Sequence, residues 1–201
     1  MAPEPEHPPE PRRITDLDAL KVFAHPLRID LYRALFTGGA ATASHLSDQV
    51  DEAVSLISYH LRKMAAHGFI VEAPEQGTDG RERWWKVATE QGFTFRHSDF
   101  GDAPESVAVV GQVTRQLLQA RRDRHSLYLD HSGSWGSEWR DAAFNWEYMP
   151  RLTAPEVQRM SAELREVILA WRERGRDAEA AGDTEGRERV SVQMFGFPFR
   201  P

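Results

Sequence analysis

The stretch from Val54 to Met64 reads as one helix with two unlike faces. Val54, Ile57, Leu61 and Met64 recur at i, i+3, i+7 and i+10, the spacing that lines one side of a helix with apolar groups. Ser55, Ser58, Tyr59 and Arg62 fall on the opposite side, and all four are hydrogen-bonding or cationic. Such a helix must bury one face against a core and present the other to a polar partner. Upstream, Leu27, Leu31, Ala34 and Leu35 share a helical face and offer that core a second wall.

The elements around this stretch follow from their end signals. Asp16 is placed to cap a short helix through Leu17, Leu20 and Phe23. Pro26 suits the first turn of a second helix, where a missing N–H does no harm, and Gly38-Gly39 stops it. Thr42 is an N-cap for a third, short helix with Ala43, Leu46 and Val50 facing inward. Asp51 is expected to cap the fourth helix, which runs to His67 and ends at Gly68. Then the period changes. Phe69–Ala73 and Arg81–Val87 are β-like, and Pro74–Gly80 is turn chemistry, so the two pair as a hairpin. Helix, helix, short helix, helix, hairpin is the order of a winged helix-turn-helix, expected over residues 14–100.

Composition limits what else the chain can be. Its 201 residues suffice for one large or two small domains. Nothing approaches the run of about 18 apolar residues that a spanning helix needs. The opening residues are acidic and proline-rich, unlike a signal peptide, so a cytoplasmic location is expected. Residues 1–13 read as a disordered tail. There is no cysteine, which excludes disulfides, thiolate zinc sites and a cysteine nucleophile. The net charge of −6 leaves DNA binding open, because only the local field at a contact face matters, but it predicts an uneven charge distribution.

The second half, residues 101–201, reads as a dimerisation and effector-sensing region. Pro104 opens a helix to about Arg124 with Val107, Val110, Val113, Leu117 and Ala120 in line, and Arg121, Arg122 and Arg124 suit its C-terminal end. Phe144–Tyr148 and Val190–Met194 alternate like half-buried strands. Thr153-Ala-Pro-Glu156 is a capping box for a helix ending at Gly175, with a polar loop over 176–188. The fold class is therefore mainly α with small β: a winged helix-turn-helix, then a helical dimerisation segment and an α+β C-terminal region. Trp135, Trp139, Phe144, Trp146, Tyr148 and Trp171 form a candidate effector pocket for an apolar or planar ligand. The alternative is that large side chains simply fill a small core.

Four groups of residues resemble the DNA-binding domain of ArsR-type winged-helix regulators: Ala24-His25-Pro26-Leu27-Arg28, Ser58-Tyr59-His60-Leu61-Arg62, Gly68-Phe69-Ile70-Val71, and Gly80 through Trp85. The resemblance covers about a third of the chain. It implies that the helix over 52–67 enters the major groove and that the hairpin tip lies along the DNA backbone. Carried over, Ser55, Leu56, Ser58, Tyr59 and Arg62 face bases or nearby phosphates, Lys63 sits at the groove edge, and Arg81 and Arg83 hold phosphates. Arg62 is the expected reader of a guanine. His60 is expected to be a structural histidine bonded to the second helix, and His25 a packing residue where that helix starts.

Relatives of this kind that sense metals place cysteines on the helix equivalent to 42–50, and this chain has none there. Asp123, His125 and His131 have the wrong spacing for the other known arrangement, and a two-histidine, one-carboxylate site from Asp123 or Asp130, His125 and His131 is the alternative to the expectation of no metal and no cofactor. No Gly-rich phosphate loop, Gly-x-Ser-x-Gly or His-Glu-x-x-His occurs, and Glu163 and Glu166 fall on a solvated helix face. The expectation is a non-enzymatic transcriptional regulator: a dimeric repressor on double-stranded DNA, answering to a small organic ligand or a protein partner. A winged helix used for protein contact and a cysteine-free metal-responsive regulator are the alternatives.

Overall fold

A computed structural model describes residues 10–76 and 82–200. They divide into two units, residues 10–133 and 134–200. The domain boundary expected at 100/101 precedes this division.

In the first unit each helix begins where its signal stands. The Asp16 carboxylate accepts from the backbone N–H of Ala19 at 3.0 Å and starts α1 (Leu17–Lys21). A 3-10 turn over Val22–Ala24 then turns Phe23 inward, where it is wholly buried. His25 is extended, as a residue before proline must be, and α2 (Pro26–Gly38) opens on the proline. Gly39, at φ 82°, ends it with a backbone turn that other residues adopt only under strain. Thr42 Oγ1 accepts from the N–H of His45 at 3.2 Å and caps α3 (Ala43–Val50).

Asp51 does not do what its type suggested. It lies at φ 52° as the left-handed C-cap of α3, and Ala53 precedes α4 (Val54–Ala66) without a side-chain cap. Aspartate tolerates the left-handed region better than most residues, so it serves the end of one helix here instead of the start of the next. In α4, Ile57, Leu61 and Met64 are buried as the spacing requires. Val54, in the first turn, remains nearly half exposed.

The sheet order is β2 (Ala41–Thr42), β4 (Trp84–Val87), β3 (Ile70–Glu72), all antiparallel, with Ile70 opposite Val87 and Glu72 opposite Trp85. This is the expected hairpin, and its tip, residues 77–81, lies outside the described residues. A second, parallel pair joins β1 (Arg12–Arg13) to β5 (Phe93–Thr94). The tail reading therefore fails at Arg12 and Arg13. Arg12 donates to the Gly68 carbonyl at 2.6 Å and lies over the Phe69 ring, while Arg13 pairs with Asp99, whose carboxyl is held below its usual range chiefly by that bond. Residues 1–9 lie outside the description.

One helix, α5 (Pro104–Asp130), packs on α1, the Val22–Ala24 turn and α2. Val110 and Val113 are buried, Leu117 and Ala120 partly so, and Val107 is half exposed. The helix continues past Arg124, so Arg121, Arg122 and Arg124 lie in its body.

The second unit holds α6 (Ser137–Ala142) and α7 (Ala154–Ala180). The capping box is present, with the N–H of Thr153 donating to Glu156 at 2.7 Å. Gly175 does not end α7. A helix-interior glycine costs only about 1 kcal/mol, and the chain instead turns at Gly182, φ 78°. The loop expected over 176–188 therefore begins after Ala180. Neither Phe144–Tyr148 nor Val190–Met194 forms a strand, because alternation suits a strand but a ladder also needs a neighbour. Among the described residues both sheets lie in the first unit, and none of residues 134–200 is buried. The α+β reading of this region gives way to a helical one. Among the described residues no helix is long and apolar enough to cross a membrane.

Phe23→Ala is expected to destabilise the first unit by about 3–5 kcal/mol, the range for a fully buried phenylalanine, read as a lower urea midpoint. Thr42→Ala is expected to cost about 1 kcal/mol through the lost cap.

Candidate nucleic-acid interface

The face of α4 opposite Ile57, Leu61 and Met64 is open to solvent. Ser55, Leu56, Tyr59, Arg62 and Lys63 are exposed and Ser58 is half-buried. Beside this face a cleft runs between α4, α3 and the hairpin, lined by Thr42, Ser44, Ser58, Arg62, Glu82 and Trp85. Ser44 Oγ donates to Glu82 Oε1 at 2.6 Å and ties the hairpin to α3.

The hairpin cations are not solitary. Arg83 pairs with Glu72 at 3.3 Å and lies 5.6 Å from the Trp85 ring centre. Lys86 pairs with Glu75 at 2.5 Å, which holds the Glu75 carboxyl below its usual range. Arg81 lies outside the described residues. Glu82 escaped the sequence reading, although Arg81-Glu82-Arg83 placed a carboxylate between two arginines expected at phosphates.

Beneath the open face, α4 is pinned to α2. Arg28 Nε donates to His60 Nδ1 at 3.0 Å, and Arg28 Nη1 donates to the Val22 carbonyl at 3.1 Å. His60 is 3% exposed, its ring 4.5 Å from that of His25 and 5.2 Å from that of Tyr59. Because Nδ1 accepts, the neutral ring carries its proton on Nε2. Burial pushes the His60 pKa down, and the charges of His25 and Arg28 add to this. The His25 pKa is also lowered, by burial and then Arg28, with Glu52 acting the other way. His60 is thus the structural histidine expected, bonded to the second helix.

The aromatic set expected to form an effector pocket lies at the surface. Phe144, Trp146, Tyr148 and Trp171 are more than half exposed, and Trp135 and Trp139 are intermediate. Trp135 meets Trp139 edge-on at 6.3 Å, Phe144 stacks on Trp146 at 4.7 Å, and Arg174 covers Trp171 at 4.6 Å. A second cleft, in the first unit, lies between α2, α3 and α5, with Ile29, Val50, Ala120 and Leu127 on its walls. No three His, Asp or Glu groups gather as a metal site among the described residues. His131 bonds the Leu127 carbonyl at 2.9 Å, and Asp123 accepts from Gln119 at 2.8 Å.

Helices α2 to α4 with the β3–β4 hairpin constitute a winged helix-turn-helix, a DNA-binding fold. Residues 23–73, from the Phe23 turn to the end of the first hairpin strand, match the family described as helix-turn-helix domain. The match takes in three of the four residue groups that resemble ArsR-type regulators. Among solved structures, the chain is similar to a protein described as a possible transcriptional regulator for arsenical resistance. The two are 26% identical over 57% of this chain and 97% of the other, at a TM-score of 0.31, too low for the superposition to carry weight. No curated protein matches the chain.

The histidine shifts set a pH dependence. Both folded pKa values lie below that of an unfolded histidine, so acid favours the unfolded chain. The stabilisation is complete above the ordinary histidine range and is lost as pH falls through it toward the folded values. The melting temperature is expected to fall between pH 7.5 and 5.5, and the fall to be shallower in His60→Gln. Parallel curves for the two proteins would contradict this.

Proposed function

We propose that the chain is a sequence-specific DNA-binding transcriptional regulator, acting in the cytoplasm as a homodimer and without enzymatic activity. The observation that carries this reading is the divided α4: three wholly buried apolar residues on one side, and Ser55, Leu56, Tyr59, Arg62 and Lys63 exposed on the other. In this reading α4 lies in the major groove with Ser58 at its edge, Arg62 reads a guanine, Lys63 meets a phosphate, and Arg81 and Arg83 hold the backbone from the hairpin.

A single module makes few contacts for specific affinity, and a two-fold pair would set two α4 helices on half-sites about one helical turn apart. Helix α5, with Val107, Leu127 and Leu129 exposed, is the first candidate for the contact, aided by α7. Such a dimer represses by occupying a promoter. Release requires a small organic effector or a protein partner that binds DNA-competent and incompetent states with different affinity.

Selection of genomic fragments by the purified protein, followed by binding titrations at several salt concentrations, tests the reading. Affinity is expected to fall steeply with salt. Binding without salt dependence or sequence preference would overturn it and leave a protein-contact role for the winged helix. Arg62→Ala is expected to lose about 1–3 kcal/mol at one base position and relax it. Arg83→Ala is expected to weaken all sites alike and lower the salt slope by about 1. Glu72→Gln, which removes the carboxylate facing Arg83, is expected to raise affinity by up to about fivefold, the ceiling for an exposed pair worth about 1 kcal/mol.

A further inference from the structure

Two helices of the first unit line one cleft with stripes of like make-up. On α2, Pro26, Ile29, Asp30 and Arg33 recur at three- and four-residue steps. On α5, Gln116, Gln119, Ala120, Asp123, Arg124 and Leu127 follow the same rule. Gln49 and Val50, at the end of α3, close the third side. The space between them is about 690 Å³, within the ~300–1,000 Å³ of small-molecule sites. Ile29 is buried and Val50 and Ala120 are half-buried, so part of the lining is apolar.

The charged groups of the cleft are unevenly engaged. The Asp30 carboxylate pairs with Arg33 at 2.8 Å, and Asp123 accepts from the Gln119 amide at 2.8 Å. Each carboxylate thus has a partner within its own wall. Arg124 stands differently. Its guanidinium is held below its usual range, first by burial and then by the charges of Arg33 and Arg121, with Asp30 acting the other way. Two cations and one anion therefore act on a third cation that is partly withdrawn from water. Such a group gains from any further negative charge brought to it.

We propose that this cleft binds a small organic anion, a carboxylate with an apolar body, its charge at Arg124 and its body against Ile29, Val50 and Ala120. The inference rests on the proposed function for its consequence: the ligand is the small organic effector of that reading. Inorganic phosphate would meet the charge and leave the apolar lining unused. A neutral ligand would leave the surplus of cations as it is.

Position gives the site its effect. Helix α3 packs on α4, and α5 is the first candidate for the contact between copies. Leu127 counts in both roles, as a wall of the cleft and as an exposed residue of that contact. A ligand held between α3 and α5 favours one setting of the paired α4 helices over another, which is the differential affinity that release requires.

The test uses the full chain and three probes at constant ionic strength. Octanoate has both parts, 1-octanol keeps the tail without the charge, and inorganic phosphate keeps the charge without the tail. Calorimetry is expected to show one octanoate site per chain at concentrations up to roughly millimolar. Octanol and phosphate, each lacking half of the recognition, are expected to bind at least about tenfold more weakly. Arg124→Gln is expected to weaken octanoate about tenfold and leave octanol unchanged. Gln49→Glu sets a carboxylate at an exposed position of the same cleft, and the same result is expected of it. The melting temperature verifies the fold of both variants, and the Gln49 variant suffices if the other does not fold.

Octanoate that binds no tighter than octanol, or binds both variants like the wild type, overturns the anion site. Phosphate that matches octanoate overturns the organic ligand, and no octanoate binding overturns the cleft as a site. Saturating octanoate is expected to shift DNA affinity at least about fivefold. Octanoate bound with DNA affinity unchanged overturns the effector role and leaves the regulator reading standing. Loss of that reading, through absent salt-dependent DNA binding, is distinct, because the calorimetry is done without DNA.

Discussion

The aromatic contact of Phe23 holds the first unit in register. Its ring meets Tyr32 of α2 edge-on at 5.5 Å, Phe69 at the exit from α4 at 4.7 Å, and Phe93 of β5 in a stack at 4.2 Å. Three segments far apart in sequence thus converge on one side chain. The short 3-10 turn matters because it delivers that ring: a continued α-helix would carry Phe23 along another direction, and Pro26 would fall inside the helix. The Asp16 cap, the turn and the proline are successive conditions for one buried contact.

From that contact the surface follows. With α2 and the exit of α4 fixed on Phe23, the bond from Arg28 to His60 sets the rotation of α4 about its own axis. That rotation decides which residues face out. The Ser44–Glu82 bond then places the hairpin beside α4. The hairpin is more acidic than the resemblance alone would suggest: Glu72 and Glu75 pair with its cations Arg83 and Lys86, and Glu82 accepts from Ser44. Carboxylates therefore stand beside Arg62, Lys63, Arg83 and Lys86 on the face expected to meet DNA. Contact with phosphates there requires arginine to exchange one carboxylate for another anion, which favours selectivity over raw attraction.

Much of the first unit was legible because local signals and long-range packing agree there. Asp16, Pro26, Thr42 and Gly68 each stand where an element changes, and Ile57, Leu61 and Met64 occupy the interior their spacing requires. Asp51 misled because one residue type serves either end of a helix, and composition alone does not say which. Arg12 and Arg13 misled because a proline-rich neighbourhood hid two guanidiniums with partners some sixty and ninety positions away. Glu82 was invisible because its role depends on Ser44, brought near only by the fold. In the second unit, the alternation of Phe144–Tyr148 and Val190–Met194 was read as half-buried strand, and neither segment is one, because pattern does not supply a neighbour. The aromatic residues likewise announced burial without naming what would bury them.

Arg28 occupies a position that charge alone does not explain. Its guanidinium directs one N–H to a ring nitrogen and another to a backbone carbonyl, so a single planar group joins the interior of one helix to the turn before another. Lysine would keep the positive charge and lose the fork, since one ammonium on a flexible stem does not reproduce two bonds in fixed directions. This site therefore selects for shape, and arginine serves there as a rigid strut rather than as a cation.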